Sequence, residues 1–128
     1  MNILLDTCVF LWIIRGDTSL SRAARVAFSD PANTVYLSAV SVWEIMVKHQ
    51  LGWLPLPEPP QVYVPDEREK HAILPLDLNE AAVLELRRLP DLHSDPFDRM
   101  LICQAIAHSM VLLTPDAQIH AYPVNARW

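Results

Sequence analysis

An α/β fold is predicted, with a parallel sheet of about five short strands flanked by helices, and three observations predict it. Apolar runs of three or four residues, rich in branched side chains, recur along the chain and are too short for helices. Stretches with helical spacing and helix-capping residues stand between them. That alternation, with strands buried on both faces, is the pattern of a parallel sheet covered by helices. The 128 residues suit a single domain over 1–128 that buries roughly two-thirds of its unfolded surface. There are no internal repeats.

Asn2 to Leu5 reads as the first strand, ending on Asp6. Phe10, Leu11 and Ile14 recur at helical spacing and predict a short helix stopped by Gly16. Ser21 can cap a second helix with Ala24, Ala27 and Phe28 on its inner face, stopped by Ser29-Asp30-Pro31. Val35-Tyr36-Leu37 is the second strand. Ser38 or Ser41 caps the next helix, whose inner face is expected at Val42, Trp43, Met46 and Val47, with Gly52 ending it. The prolines from Pro55 to Pro60 make a stiff surface connection, not a domain boundary, because neither flank is long enough to stand alone. Pro65 is expected to break or delay any helix through residues 61–71. Ile73-Leu74 is a candidate third strand. Asn79 caps the following helix, with Leu78 placed to staple onto Val83 and with Val83, Leu86 and Leu89 inward. Asp95 as cap and Pro96 at the first helical position open the next, with Phe97, Leu101, Ile102 and Ala105 inward. Val111-Leu112-Leu113 is the fourth strand. Tyr122-Pro123-Val124 is a candidate fifth, kept to the sheet edge by its proline.

Composition removes several functional classes. No apolar run reaches the ~18 residues of a membrane span, and the first one breaks at Asp6 without a basic segment before it, unlike a signal peptide. Cys8 and Cys103 lack metal-ligand spacing and read as thiols in a reducing, cytoplasmic setting. Gly16 and Gly52 are the only glycines, so a phosphate-cradling glycine-rich loop is excluded. The formal net charge of −5 argues against a generic nucleic-acid coat. It leaves room for a nuclease whose carboxylates are neutralised by a divalent cation.

The carboxylates are where the chemistry concentrates. Ligands collect at the carboxyl ends of parallel strands. Asp6 and Asp116 follow strands, Asp95 and Asp98 lie in the first turn of a helix, and Glu44 lies in the helix after the second strand. All map to one rim. Each also has a plainer role available: Asp6, Asp95 and Asp116 as cap or turn residues, Glu44 as partner of a Ser41 capping box, Asp98 as a charge favoured by the helix dipole. Gathered together, such groups repel and raise one another's pKa unless a cation sits among them. Oxygen ligands at an open site suit Mg²⁺ or Mn²⁺, and such an ion can activate water against a phosphodiester. Arg99 and Lys48 are the basic residues placed to guide substrate, although Lys48 is equally placed to pair with Glu44. Arg15, Arg22 and Arg25 read as a solvated face, and His93 lies nearest the acids among the histidines.

Four stretches, in order, resemble the PIN-domain ribonucleases and specifically the VapC-type toxins of type II toxin–antitoxin pairs. They are Leu4 to Trp12, Leu37 to Ile45, His93 to Ala105 with its Asp95-Pro96-Phe97-Asp98-Arg99 core, and Leu112 to Asp116. The resemblance covers essentially the whole chain. It implies a PIN-like three-layer fold and a Mg²⁺-dependent endoribonuclease. It assigns the acidic quartet to Asp6, Glu44, Asp98 and Asp116, with Asp6 and Asp98 as direct metal ligands, Asp95 as an extra acid and Thr114 as support. It further implies a homodimer and a small VapB-type antitoxin whose tail covers the site, and a helical hairpin about residues 55–65 that the prolines there put in question. The alternative is a non-catalytic module of the same fold that binds RNA or protein. A phospho-accepting receiver-like domain is disfavoured, because neither Lys48 nor Lys70 lies near the last strand.

Overall fold

The computed structural model describes residues 1–128. Asn2–Leu5 (β1), Thr34–Ser38 (β2), Leu74–Leu76 (β3), Val111–Leu113 (β4) and Ala126–Arg127 (β5) form one sheet in the order β3-β2-β1-β4-β5, with every pairing parallel. β1 is central, with Leu4 opposite Tyr36 on one side and Leu112 on the other. Successive strand residues point to opposite faces, so Ile3 and Leu5 enter one core cluster and Leu4 the other. Thr7–Arg15 (α1), Arg22–Ser29 (α2) and Pro60–Lys70 (α4) cover the first face through Phe10, Ala24 and Val64. Pro96–Ala107 (α6) covers the second through Leu101 and Ile102. Each such side chain, fully buried, contributes roughly 1.5–3 kcal/mol. No helix is long and apolar enough to cross a membrane.

The predicted caps close as expected. Ser21 Oγ accepts from the Ala24 amide at 3.0 Å and Asn79 Oδ1 from Ala82 at 2.9 Å. Gly16 adopts φ 63°, the left-handed conformation that ends α1. Ser38 caps Ala39–Gln50 (α3) by accepting from Val40, and it donates to the buried Gln104 of α6. Gln104 in turn donates to the Asp77 carbonyl at 3.3 Å. One buried polar chain therefore ties α6 to the carboxyl edge of β2.

Several expectations are corrected. α4 runs unbroken from Pro60 through Pro65 to Lys70. Pro65 removes one amide donor, but the carbonyl it leaves belongs to exposed Gln61, where water serves, and Val64 anchors the helix in the core. With α3 beside it, the helical hairpin implied by the resemblance is present. The inner face of α3 is Val40, Ser41, Glu44 and Ile45, while Trp43 is 55% exposed and Val42, Met46 and Val47 are half-buried. The helix joins both core clusters, Ile45 one and Val40 the other, so its apolar residues form no single stripe. β3 begins one residue later than expected, at Leu74. Glu80–Leu84 (α5) gives way to a tight 3₁₀ turn at Glu85–Arg88, which buries Ala82 and Leu89 and leaves Val83 exposed. The edge strand is Ala126–Arg127 and not Tyr122-Pro123-Val124. The Tyr122 amide turns back to Ile119 at 3.0 Å, and the ladder to β4 resumes only after Pro123.

Candidate active site

The sheet's carboxyl edge opens into a cleft of ≈ 310 Å³ whose lining includes Asp6, Glu44, Asp95, Asp98 and Asp116. β1 delivers Asp6, which is 6% exposed. It stands at the N-cap position of α1, yet its side chain makes no capping bond, so the capping role is excluded. Glu44, 5% exposed, lies in the second turn of a helix that Ser38 caps, too deep for a capping box. Asp98 is in the first turn of α6. Asp95 does cap that helix, with Oδ1 accepting from Phe97 and Asp98 amides at 2.8 and 3.1 Å. Asp116 caps Ala117–His120 (α7), accepting from Gln118 at 2.9 Å. The ordinary roles of Asp95 and Asp116 are thus real, and both still line the cleft.

Buried hydroxyls hold two of the acids. Thr114 Oγ1 donates to Asp6 Oδ2 at 2.6 Å and accepts from the Asp116 amide at 3.1 Å, joining the ends of β1 and β4. Thr7 Oγ1 lies 2.7 Å from Glu44 Oε1 and 2.9 Å from Ser41 Oγ. A hydroxyl carries one proton, so Thr7 donates to the carboxylate and Ser41 donates to Thr7. Replacing Thr7 by Val orphans both buried partners. A loss of ~1–3 kcal/mol is expected, read as a lower urea midpoint.

The field in the cleft is strongly negative. Burial, reinforced by Asp6, Asp95 and Glu44, pushes Asp98 up to about 6 against a hydrogen bond from His93 that pulls it down. Burial also raises Asp6, with Glu44 adding to it and Thr114 opposing. Burial and the neighbouring Asp6 push the Cys8 thiol up to about 12. Cys8 therefore stays protonated at neutral pH and is neither thiolate ligand nor nucleophile. Lys48 is the one cation on the cleft lining, its Nζ 2.5 Å from Glu44 Oε2. Burial works to lower its pKa, but the hydrogen bond and charge of Glu44, with Asp95 and Asp98, hold it above the ordinary lysine value.

Arg99 does not serve the cleft. Its guanidinium donates to the carbonyls of Pro90 and His93 at 3.1 and 3.4 Å and to the Tyr122 hydroxyl at 3.2 Å, latching the loop before α6 from behind. His93, by contrast, comes forward, with Nε2 2.9 Å from Asp98 Oδ2. His93, Asp98 and Asp116 each offer a ligand atom within 4.8 Å of the others. Sequence reasoning weighed His93 only by its nearness along the chain. It missed Thr7 and Ser41, for which the helical spacing from Ser41 to Glu44 is the one available signal.

The donor set fits a hard divalent cation. Side-chain donors reach only one oxygen of Asp6 and one of Asp98, leaving the second of each without a side-chain partner. Both Glu44 oxygens are engaged, by Thr7 and Lys48. A buried acidic group with open lone pairs and one ammonium to offset it calls for a cation.

A profile of the PIN domain matches residues 3–125. The chain belongs to the PIN-domain family. This PIN domain is 31% identical over 101 residues to Ribonuclease VapC16 of Mycobacterium tuberculosis, the match covering 63% of this chain and 72% of that protein. That places it with the VapC-type members. Among solved structures it resembles VapBC2 from Rickettsia felis bound to a DNA fragment from their promoter, with TM-score 0.75 and 16% identity over 99% of this chain and 98% of the other. It also resembles VapBC-1 from nontypeable Haemophilus influenzae, with TM-score 0.64 and 18% identity over 99% and 97% of the two chains. At those identities the likeness establishes the fold, the PIN-like α/β sandwich expected from the sequence.

Proposed function

We propose that this PIN domain is a metal-dependent endoribonuclease of the VapC kind, a toxin kept silent by a small VapB-type antitoxin. The observation that carries the reading is the meeting of Asp6, Glu44, Asp98 and Asp116 in one cleft. The relative named a ribonuclease supports the activity, and the VapBC complexes with the same fold support the partner.

Asp6 and Asp98 are the residues to hold Mg²⁺ or Mn²⁺, through the oxygens that no side chain claims. His93 belongs beside them by proximity, but its Nε2 is already spent on Asp98, so its role is to fix the Asp98 rotamer. A cation bound there supplies an activated water and neutralises charge on the phosphodiester. Thr114 holds Asp6 and couples it to Asp116. Of the two acids left, Glu44 has both oxygens taken, by Thr7 and Lys48, and holds Lys48 in place. Asp116 keeps one oxygen free of its cap bond and is the one to orient the attacking water and take its proton. Lys48 is the cleft's one point charge for an incoming phosphate.

The exposed apolar side chains Trp43, Leu78 and Leu84 offer surface for a second chain, as a homodimer or an antitoxin would use. The reduced thiols suit the cytoplasm. The direct test is cleavage of purified RNA. The wild type is expected to cut in Mg²⁺ or Mn²⁺ and to stop when EDTA is added. Cutting that survives chelation would sink the metal chemistry.

A further inference from the structure

We propose that Trp53 is a base-stacking platform that seats an unpaired base of the RNA at the lip of the acidic cleft. The inference rests on the ribonuclease reading and adds a positioning residue to it.

Trp53 is 72% exposed, the most exposed of the large apolar side chains. It is also the one aromatic side chain lining the cleft. An indole left this open forgoes a large burial gain, and nothing in the fold uses its face. Its backbone, in contrast, is fixed. Gly52 sits at φ 78°, where its amide donates to His49 and the Trp53 amide to Lys48, at 3.0 and 2.9 Å. His49 Nδ1 then meets the Leu54 carbonyl at 2.9 Å. The turn therefore holds the backbone that carries the ring, so stacking has to order the side chain alone. Along α3 and this turn lie, in order, Glu44 in the floor, Lys48 on the wall and Trp53 at the lip.

The electrostatics favour such a contact. Proteins that hold nucleic acid through phosphates need several basic side chains. This chain carries a net charge of −5 and has only Lys48 on the cleft lining, already paired with Glu44. Stacking is indifferent to that charge and to base identity, and it needs a base free of its partner strand. A cleft of ≈ 310 Å³ also lies at the small end of ligand pockets, roughly 300–1,000 Å³. It has room for the reacting phosphate and about one nucleotide, so a strand that runs on past it leaves over the lip, where Trp53 stands. The base that Trp53 takes is therefore one free of pairing.

The test compares the full-length wild type with Trp53→Phe and Trp53→Leu in cleavage of a short single-stranded RNA in Mn²⁺. Tryptophan emission is followed as the same strand is added. Trp53→Leu is expected to raise KM about 5- to 150-fold with kcat unchanged, because the contact is the same in ground and transition states. Trp53→Phe keeps most of the wild-type KM, and the emission quench seen in the wild type disappears in it. Equal KM in wild type and Trp53→Leu, equal losses in the Leu and Phe variants, or a loss in kcat alone overturns the platform. A wild type that cuts no RNA yet shows a Trp53-dependent quench removes the nuclease reading and keeps the platform. Cutting with a KM indifferent to residue 53 does the reverse. If Trp53→Leu instead releases a co-purifying protein at unchanged KM, the indole belongs to a protein contact and the proposal falls.

Discussion

Asp98→Asn is expected to lower RNA cleavage by about a thousandfold or more while leaving the protein folded. The size follows from losing several kcal/mol of metal-held charge stabilisation at tenfold per 1.36 kcal/mol. The stability half is the sharper discriminator. At neutral pH Asp98 is ionised inside a field set by Asp6, Asp95 and Glu44, and its carboxyl is raised to about 6. The metal-free fold therefore carries an unfavourable charge that Asn removes. Asn keeps the shape and can still hydrogen-bond to His93 Nε2. The variant should lose activity with a melting temperature, measured without metal, at or above that of the wild type. A carboxylate that served the fold would behave in the opposite way, its loss costing stability along with activity. An active Asp98→Asn, or one that is inactive only because it unfolds, would remove this residue from the chemistry.

The convergence of the acids was legible in the sequence because it follows from topology. Asp6 directly follows β1 and Asp116 follows β4 across Thr114-Pro115, and parallel strands share one carboxyl edge. What the acids do beyond that was not legible. Asp95 and Asp116 satisfy helix amides as well as lining the cleft, and residue type alone does not separate the two roles. Arg99 illustrates the same limit: it sits next to Asp98 in the chain, but successive helix residues point about 100° apart, and its guanidinium joins Tyr122 on the far side. Trp43 was expected inside because α3 is apolar nearly all round, and a pattern without a clean stripe has no phase to read. It lies instead at the surface, edge-on to Phe97 with ring centroids 4.7 Å apart. Pro65 shows local propensity overridden by tertiary anchoring, as one exposed carbonyl weighs little against Val64 in the core.

The metal-free protein should melt at a higher temperature at pH 5 than at pH 7.5, and a divalent cation should close that gap. Around Asp98 stand Asp6 from β1, Glu44 and Lys48 from α3, Asp95 from its own helix, Asp116 from the β4–α7 turn, and His93 and Cys8. The acids outnumber the cations, and Asp98 and Asp6 are both raised above 3.8. A carboxyl raised on folding binds its proton more tightly in the native state than in the unfolded chain. Its contribution is therefore fully present below 3.8 and is lost as pH rises through about 6. That is the reverse of an ion-paired carboxylate, which stabilises above its unfolded value. Mn²⁺ or Mg²⁺ binds only the ionised cleft. At a hundred times its dissociation constant it adds about 2.7 kcal/mol, or about 10 °C for a domain of this size. At pH 5 protons compete for the same oxygens and the increment shrinks. Scanning calorimetry at the two pH values, with EDTA and with Mn²⁺, reads all four states. If the metal-free protein were less stable at pH 5 than at pH 7.5, and Mn²⁺ shifted neither value, the carboxylates would be paired within the protein and the cleft would have no need of a cation.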